Sequence, residues 1–202
     1  MKNYLNLSTA LLQIFSLTAV LLGPALLFSG SSCNTIKTRD SKVVAYELNE
    51  KKFHEPEDKK NAKLLVDVAE IHLKQIQLAQ LAQQEGKQID VKELGRMMEK
   101  SNSKSFSRLS ELAGDKSVSI PISTTRQGLE TVEFLNKKSG LSFDKEYCDI
   151  MVVNQKQAIK VFEEISEQSK DLDIQVWALS TLPDLRKHLQ YARTCQKKCA
   201  AI

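Results

Sequence analysis

The apolar residues of this chain recur at spacings of three, four and seven, and they do so for most of its length. That is the period of an amphipathic helix and not of a strand, and no run of period two lasts long enough to argue for a sheet. One helix is expected over about 61–85, with Leu64, Val68, Ile71, Leu78 and Ala82 inward and Gly86 as its end. A second is expected over about 90–112, with Val91, Leu94, Met98, Leu109 and Leu112 inward, and Asp90 with Glu93 reads as a capping box. A third, shorter segment runs over about 123–138, with Leu129, Val132 and Leu135 inward and Gly140 closing it. A fourth runs over about 143–169 behind Ser142 as a cap, and a fifth over about 172–196, where Pro183 predicts a kink or restart near Thr181 and Leu182. Only 7 glycines and 4 prolines interrupt 202 residues. Short links make long helices antiparallel neighbours, so the fold class is all-α: an antiparallel four-helix bundle with a short crossover helix, over residues 61–199.

The N-terminus reads as an address. Lys2 is followed by an apolar run from about Ala10 to Phe28, then by Ser29, Gly30, Ser31, Ser32 and Cys33. A charged start, an apolar middle and a small-residue exit are the parts of an export signal. Small residues directly before a cysteine resemble the bacterial lipoprotein box, in its looser form as in the Bacteroidetes group, because Gly30 stands where Leu is usual. The resemblance implies a signal segment over 1–32 and lipidation of Cys33. An ordinary signal peptide with an incidental Cys33, or an uncleaved membrane helix, also fits the run. Asn34 is not the Asp that retains some lipoproteins in the inner membrane, so the outer membrane is the expected destination. Residues 33–60 are polar, poorly periodic and interrupted by Pro56, and read as a flexible lipid-anchored tether. His54, beside Glu55 and Glu57, belongs to that solvated stretch.

The stripes have gaps, and the gaps hold polar residues. Gln75 lies between Ile71 and Leu78, Asn102 between Met98 and Leu109, Gln155 on the face of Met151, Ala158 and Phe162, and His188 on the face of Leu185 and Ala192. Gln75 is 13 residues before Gln88, the centre of the first hairpin turn, and Asn102 is 14 after it; Gln155 is 16 before Asp171, the centre of the second, and His188 is 17 after it. At a rise of about 1.5 Å per residue each pair sits at nearly one height. Gln75, Asn102, Gln155 and His188 are therefore expected to form one buried polar layer. Bundles build metal centres at such a level from Glu and Glu-x-x-His, but amides are neutral and weak ligands, so the layer is expected to fix helix register.

Three blocks carry a family resemblance: "VKELGRMMEKSNSKSFSRLSELA", "FDKEYCDIMVVNQKQAIKVFEE" and "LPDLRKHLQYA". They resemble the bacterial envelope family called domain of unknown function 4142, over about Leu64 to Ala192. That resemblance implies a ferritin-like bundle, commonly exported, with no established enzymatic activity. Typical members carry an acid where Gln75 stands, and Asp-His where Ser101–Asn102 and Asn154–Gln155 stand; His188 and Glu163 match the pattern. The alternative reading is thus a metal-binding or redox bundle with a degenerate site, using His188, Glu163 and His72.

Other candidates are weaker. His72, near Glu70, is expected at the edge of its helix as an interface side chain. Glu163, Glu164 and Glu167 read as a solvated charge run, and Trp177 as a core anchor. Of Cys148, Cys195 and Cys199, only the last two share a helical face, where a disulfide is unfavourable; they read as small apolar filler, with a metal pair as the competing use. The net charge of +4 is spread without a Lys/Arg block, which speaks against nucleic acid. No phosphate loop, G-x-S-x-G or H-E-x-x-H is present. The expectation is a non-catalytic envelope protein without a cofactor, held to the membrane by its lipid and meeting an envelope partner.

Overall fold

A computed structural model describes residues 39–201; the signal segment, Cys33 and the start of the expected tether lie outside the described residues. The described residues form six helices and no strand: α1 Ser41–Lys52, α2 Pro56–Glu85, α3 Ile89–Asp115, α4 Arg126–Asn136, α5 Gly140–Gln168 and α6 Leu172–Ala200. The pairs α2/α3 and α5/α6 are the two long hairpins, and they pack on each other as a four-helix bundle. The short α4 lies against α2 and α5 as the crossover. None of the described helices is long and apolar enough to cross a membrane.

The core has two apolar halves. One, beside the α2–α3 turn, contains Leu78, Ala82, Leu94, Met98, Phe143, Tyr147 and Met151. The other, beside the α5–α6 turn, contains Leu65, Val68, Leu109, Phe162, Ile165, Ile174 and Leu185. Trp177 is partly buried on the second half and packs on Phe162 with ring centroids 5.0 Å apart. Helices α2 and α3 approach closely at Gly95, where a Cβ would lie 2.8 Å from the Ala79 carbonyl oxygen and 3.2 Å from the Ala82 Cβ. Any larger residue there would push the first hairpin apart.

Several local expectations are corrected. The tether reading of residues 33–60 fails from Asp40 onward, because α1 is an ordered helix docked on α2. Its apolar burial is small, Ala45 being its one buried apolar residue, so periodicity did not reveal it. Polar contacts hold it instead. Asp40 caps α1 by accepting from the Lys42 N–H and also accepts from the Arg126 N–H at the start of α4, both within 2.9 Å. Lys42 pairs with Asp67 at 2.8 Å and with Glu70, and Tyr46 donates to Asp67. Asn49 is buried; its Nδ2 donates to the Ser119 carbonyl and its Oδ1 accepts from the Ser119 N–H, each at 2.8 Å.

The caps differ as well. Helix α3 starts at Ile89, one residue before the expected box, and α5 starts at Gly140 with Ser139 rather than Ser142 at its cap; neither has a side-chain capping bond. Pro183 does not restart α6, which runs through it. Pro183 sits on the solvent side, and Leu179, whose carbonyl loses its partner, is exposed too. In α4 Leu135 is buried but Leu129 is exposed.

Asn49→Ala removes both bonds to Ser119 and leaves two half-buried backbone groups short of partners. It is expected to lower unfolding free energy by about 1–3 kcal/mol and to speed proteolysis near α1. A urea midpoint equal to that of the parent protein would contradict the docked position of α1.

Candidate functional site

The two halves of the core are separated on every long helix by polar side chains. Gln75 on α2, Asn102 on α3, Gln155 on α5 and His188 on α6 are all buried, and His72 joins them one turn before Gln75. The Gln75 side-chain carbonyl is the hub. It accepts from Gln155 Nε2 at 2.6 Å, across the interface between the hairpins, and from Asn102 Nδ2 at 3.3 Å, within its own hairpin. Asn102 Nδ2 also donates to the Met98 carbonyl at 2.8 Å, which leaves Asn102 Oδ1 facing His72 Nδ1 at 3.0 Å. Because Oδ1 can only accept, the His72 proton sits on Nδ1. His72 Nε2 and Gln155 Oε1 are then buried acceptors without a protein donor.

Electrostatics keep this layer neutral. Burial pushes the His72 imidazole down from 6.5 to about 4; the Asn102 contact opposes the shift and His188 adds to it. Burial also lowers His188, with Lys187 acting in the same direction and Asp184 against. An arrangement of amides and neutral imidazoles exchanges hydrogen bonds well, but it supplies no charged ligand.

The expected layer is thus assembled for Gln75, Asn102 and Gln155, which bond to one another. His188 lies at its rim, with no hydrogen-bond partner among the described residues, and lines a surface groove with Lys100, Lys104, Asp184 and Lys187. His72 is corrected from a helix-edge residue to a member of the layer. Glu163 is not in it: its carboxylate is half-exposed and pairs with Arg186 at 2.9 Å. The alternative set of His188, Glu163 and His72 is therefore not brought together as a metal site. Asn154, beside Gln155, is only half-buried, and His54 is exposed in the link between α1 and α2.

A different cluster escaped the reading of the residues. Cys148, Cys195 and Cys199 converge, with all three Sγ atoms within 4.8 Å of one another. Among the described residues it is the one group of three or more His, Cys, Asp or Glu side chains with metal-binding spacing. The hairpin measure used for the amides would have found it, since Cys148 is 23 residues before Asp171 and Cys195 is 24 after it.

Lowering the pH tests the buried imidazole. Between pH 6.5 and about 4 the unfolded chain protonates His72 and the folded chain does not, so stability is full above 6.5 and is lost as pH falls. The loss attributable to His72 is about 3 kcal/mol by pH 4. In His72→Gln, denaturation between pH 4 and 7 is expected to show a shallower pH slope; an unchanged slope would place this imidazole in water.

A family model described as "Domain of unknown function (DUF4142)" matches residues 49–195, from within α1 to the last turns of α6. No curated protein and no solved structure matches the chain.

Proposed function

The chain belongs to the DUF4142 family, and on that premise we propose that it is a non-catalytic cell-envelope lipoprotein, a helical scaffold or interaction module anchored through a lipid on Cys33. One observation carries the scaffold reading: the level where a bundle would seat a charged ligand set is occupied by Gln75, bonded to Gln155 and Asn102. Neutral amides bonded to one another in this way lock two hairpins together.

The anchor reading is supported by the export-like start and by Cys33 after small residues. Several acyl chains on one cysteine hold a protein firmly, because each buried methylene contributes about 0.8 kcal/mol. Asp40, which caps α1, is only seven residues beyond Cys33. Seven residues reach at most about 25 Å, so the lipid would hold the bundle against the bilayer surface rather than on a long leash. The outer membrane is the destination in this reading, and the partner is an envelope protein rather than nucleic acid.

Fractionation of cells expressing the parent protein or Cys33→Ser tests the anchor. The parent is expected in the membrane fraction, released by detergent, and the variant in the soluble fraction. Equal partitioning of the two would overturn the lipoprotein reading. For the scaffold reading, iron or manganese is measured in purified protein carrying Cys148→Ser, Cys195→Ser and Cys199→Ser together. A stoichiometric amount surviving dialysis would contradict it.

A further inference from the structure

The three thiols sit in the apolar half of the core beside the α2–α3 turn. Cys148 projects from α5, and Cys195 and Cys199 lie one turn apart on α6. Cys148 Sγ is 3.0 Å from Cys195 Sγ and 3.7 Å from Cys199 Sγ. Cys148 and Cys195 are buried, and Cys199 is partly so.

The surroundings hold the sulfur atoms in place. Asp144, one turn before Cys148, accepts from the Lys87 and Gln88 N–H groups at 2.8 Å each, clasping the α2–α3 turn over the cluster. From that turn Gln88 Nε2 donates to Cys199 Sγ at 3.4 Å. Tyr147 is fully buried and its hydroxyl has no partner. Burial pushes the Tyr147 hydroxyl up, and Cys148 and Cys195 are close enough for their charge to push it further. On the open side Cys195 lines a groove of about 400 Å³ together with Asp90, Glu93, Thr194 and Lys198.

The thiols are not equivalent. Cys195 is lowered because it accepts from Cys148 and Cys199, although burial opposes this. Cys148 is raised, chiefly by its bond to Cys195, and burial pushes Cys199 up to about 11. Of the three, Cys195 is the one that lines the groove.

We propose that Cys148, Cys195 and Cys199 form a site for one thiophilic divalent ion of the zinc class, bound through three thiolates. Each S–H gives its proton to solvent as a metal–sulfur bond forms, so binding releases the protons of all three thiols and changes no oxidation state. Zinc–thiolate bonds are about 2.3 Å, and tetrahedral angles then set sulfur atoms about 3.8 Å apart; the Cys148–Cys199 spacing of 3.7 Å already matches, and the Cys148–Cys195 spacing of 3.0 Å opens by a rotation of the side chains as the ion enters. A divalent ion leaves a single net negative charge among three thiolates, whereas a monovalent one leaves two in the same buried place, at greater cost. The groove beside Cys195 leaves room for water or an incoming donor as fourth ligand. A disulfide would use only two of the three sulfurs.

The test uses the reduced full chain under anaerobic conditions, titrated with Zn²⁺ alone and, separately, with Cu⁺. Thiol alkylation is counted peptide by peptide by mass spectrometry, so that Cys33 is scored apart. One equivalent of Zn²⁺ is expected to protect Cys148, Cys195 and Cys199 together. Cys148→Ser, and the less buried Cys199→Ser, are each expected to weaken Zn²⁺ binding by roughly 100-fold or more. Circular dichroism checks that each variant keeps its helices, and either folded variant suffices as the test. Absence of protection, or equal Zn²⁺ affinity in a folded variant, would overturn the site. Protection by Cu⁺ but not Zn²⁺ would overturn the divalent assignment. A Cys148–Cys195 disulfide in protein isolated without reductant, combined with no Zn²⁺ binding after reduction, would overturn the site in favour of a redox pair.

Discussion

The bond from Gln155 to the Gln75 carbonyl is the constraint on which the arrangement of the bundle turns. Within each hairpin a short turn sets the relative height of the two helices. Between hairpins, apolar side chains alone tolerate alternative packings, because hydrophobic attraction has no direction. A hydrogen bond buried between two apolar layers does have one. Sliding α5 by one helical turn, about 5.4 Å, would strand the Gln155 amide inside the core and leave the Gln75 carbonyl with only its longer bond from Asn102. A stranded buried group costs about 1–3 kcal/mol, a large share of a typical domain's margin. Neutral amides supply this specificity without the desolvation penalty that a buried ion pair would carry.

The ends of the bundle are tied by means of the same kind. At one end the Asp144 carboxylate on α5 takes two N–H groups of the α2–α3 turn, so the second hairpin caps the first. At the other end Asp171 caps α6 and pairs with Lys116 at the close of α3, while Ser169 donates to Asn61 on α2. Along the side, Lys42, Tyr46, Asp67, Glu70 and Thr125 link α1, α2 and the start of α4. Directional polar contacts thus set the position of an apolar core that would be permissive without them.

What could be read in the residues follows from how each element is held. The long helices were legible because they bury a stripe, and the amide layer was legible because polar residues interrupt all four stripes at matching heights. Helix α1 was hidden because Asp40, Lys42, Tyr46 and Asn49 fix it through partners distant in sequence, which periodicity cannot see. His72 was misplaced because the buried face of α2 is broader than the expected stripe. Leu65 and His72 are buried, while their neighbours Leu64 and Ile71 are only partly so. The thiol cluster was missed for a different reason: Cys148 belongs to another helix from Cys195 and Cys199, and only the fold of the hairpin joins them.

The central claim is that a hydrogen bond between hairpins, rather than apolar packing alone, selects this register. A double-mutant cycle of Gln75→Leu and Gln155→Leu, followed by chemical denaturation, measures it most directly. The account predicts a coupling energy of about 1–3 kcal/mol, with the double variant less destabilised than the sum of the singles. Strictly additive effects of the two substitutions would contradict it.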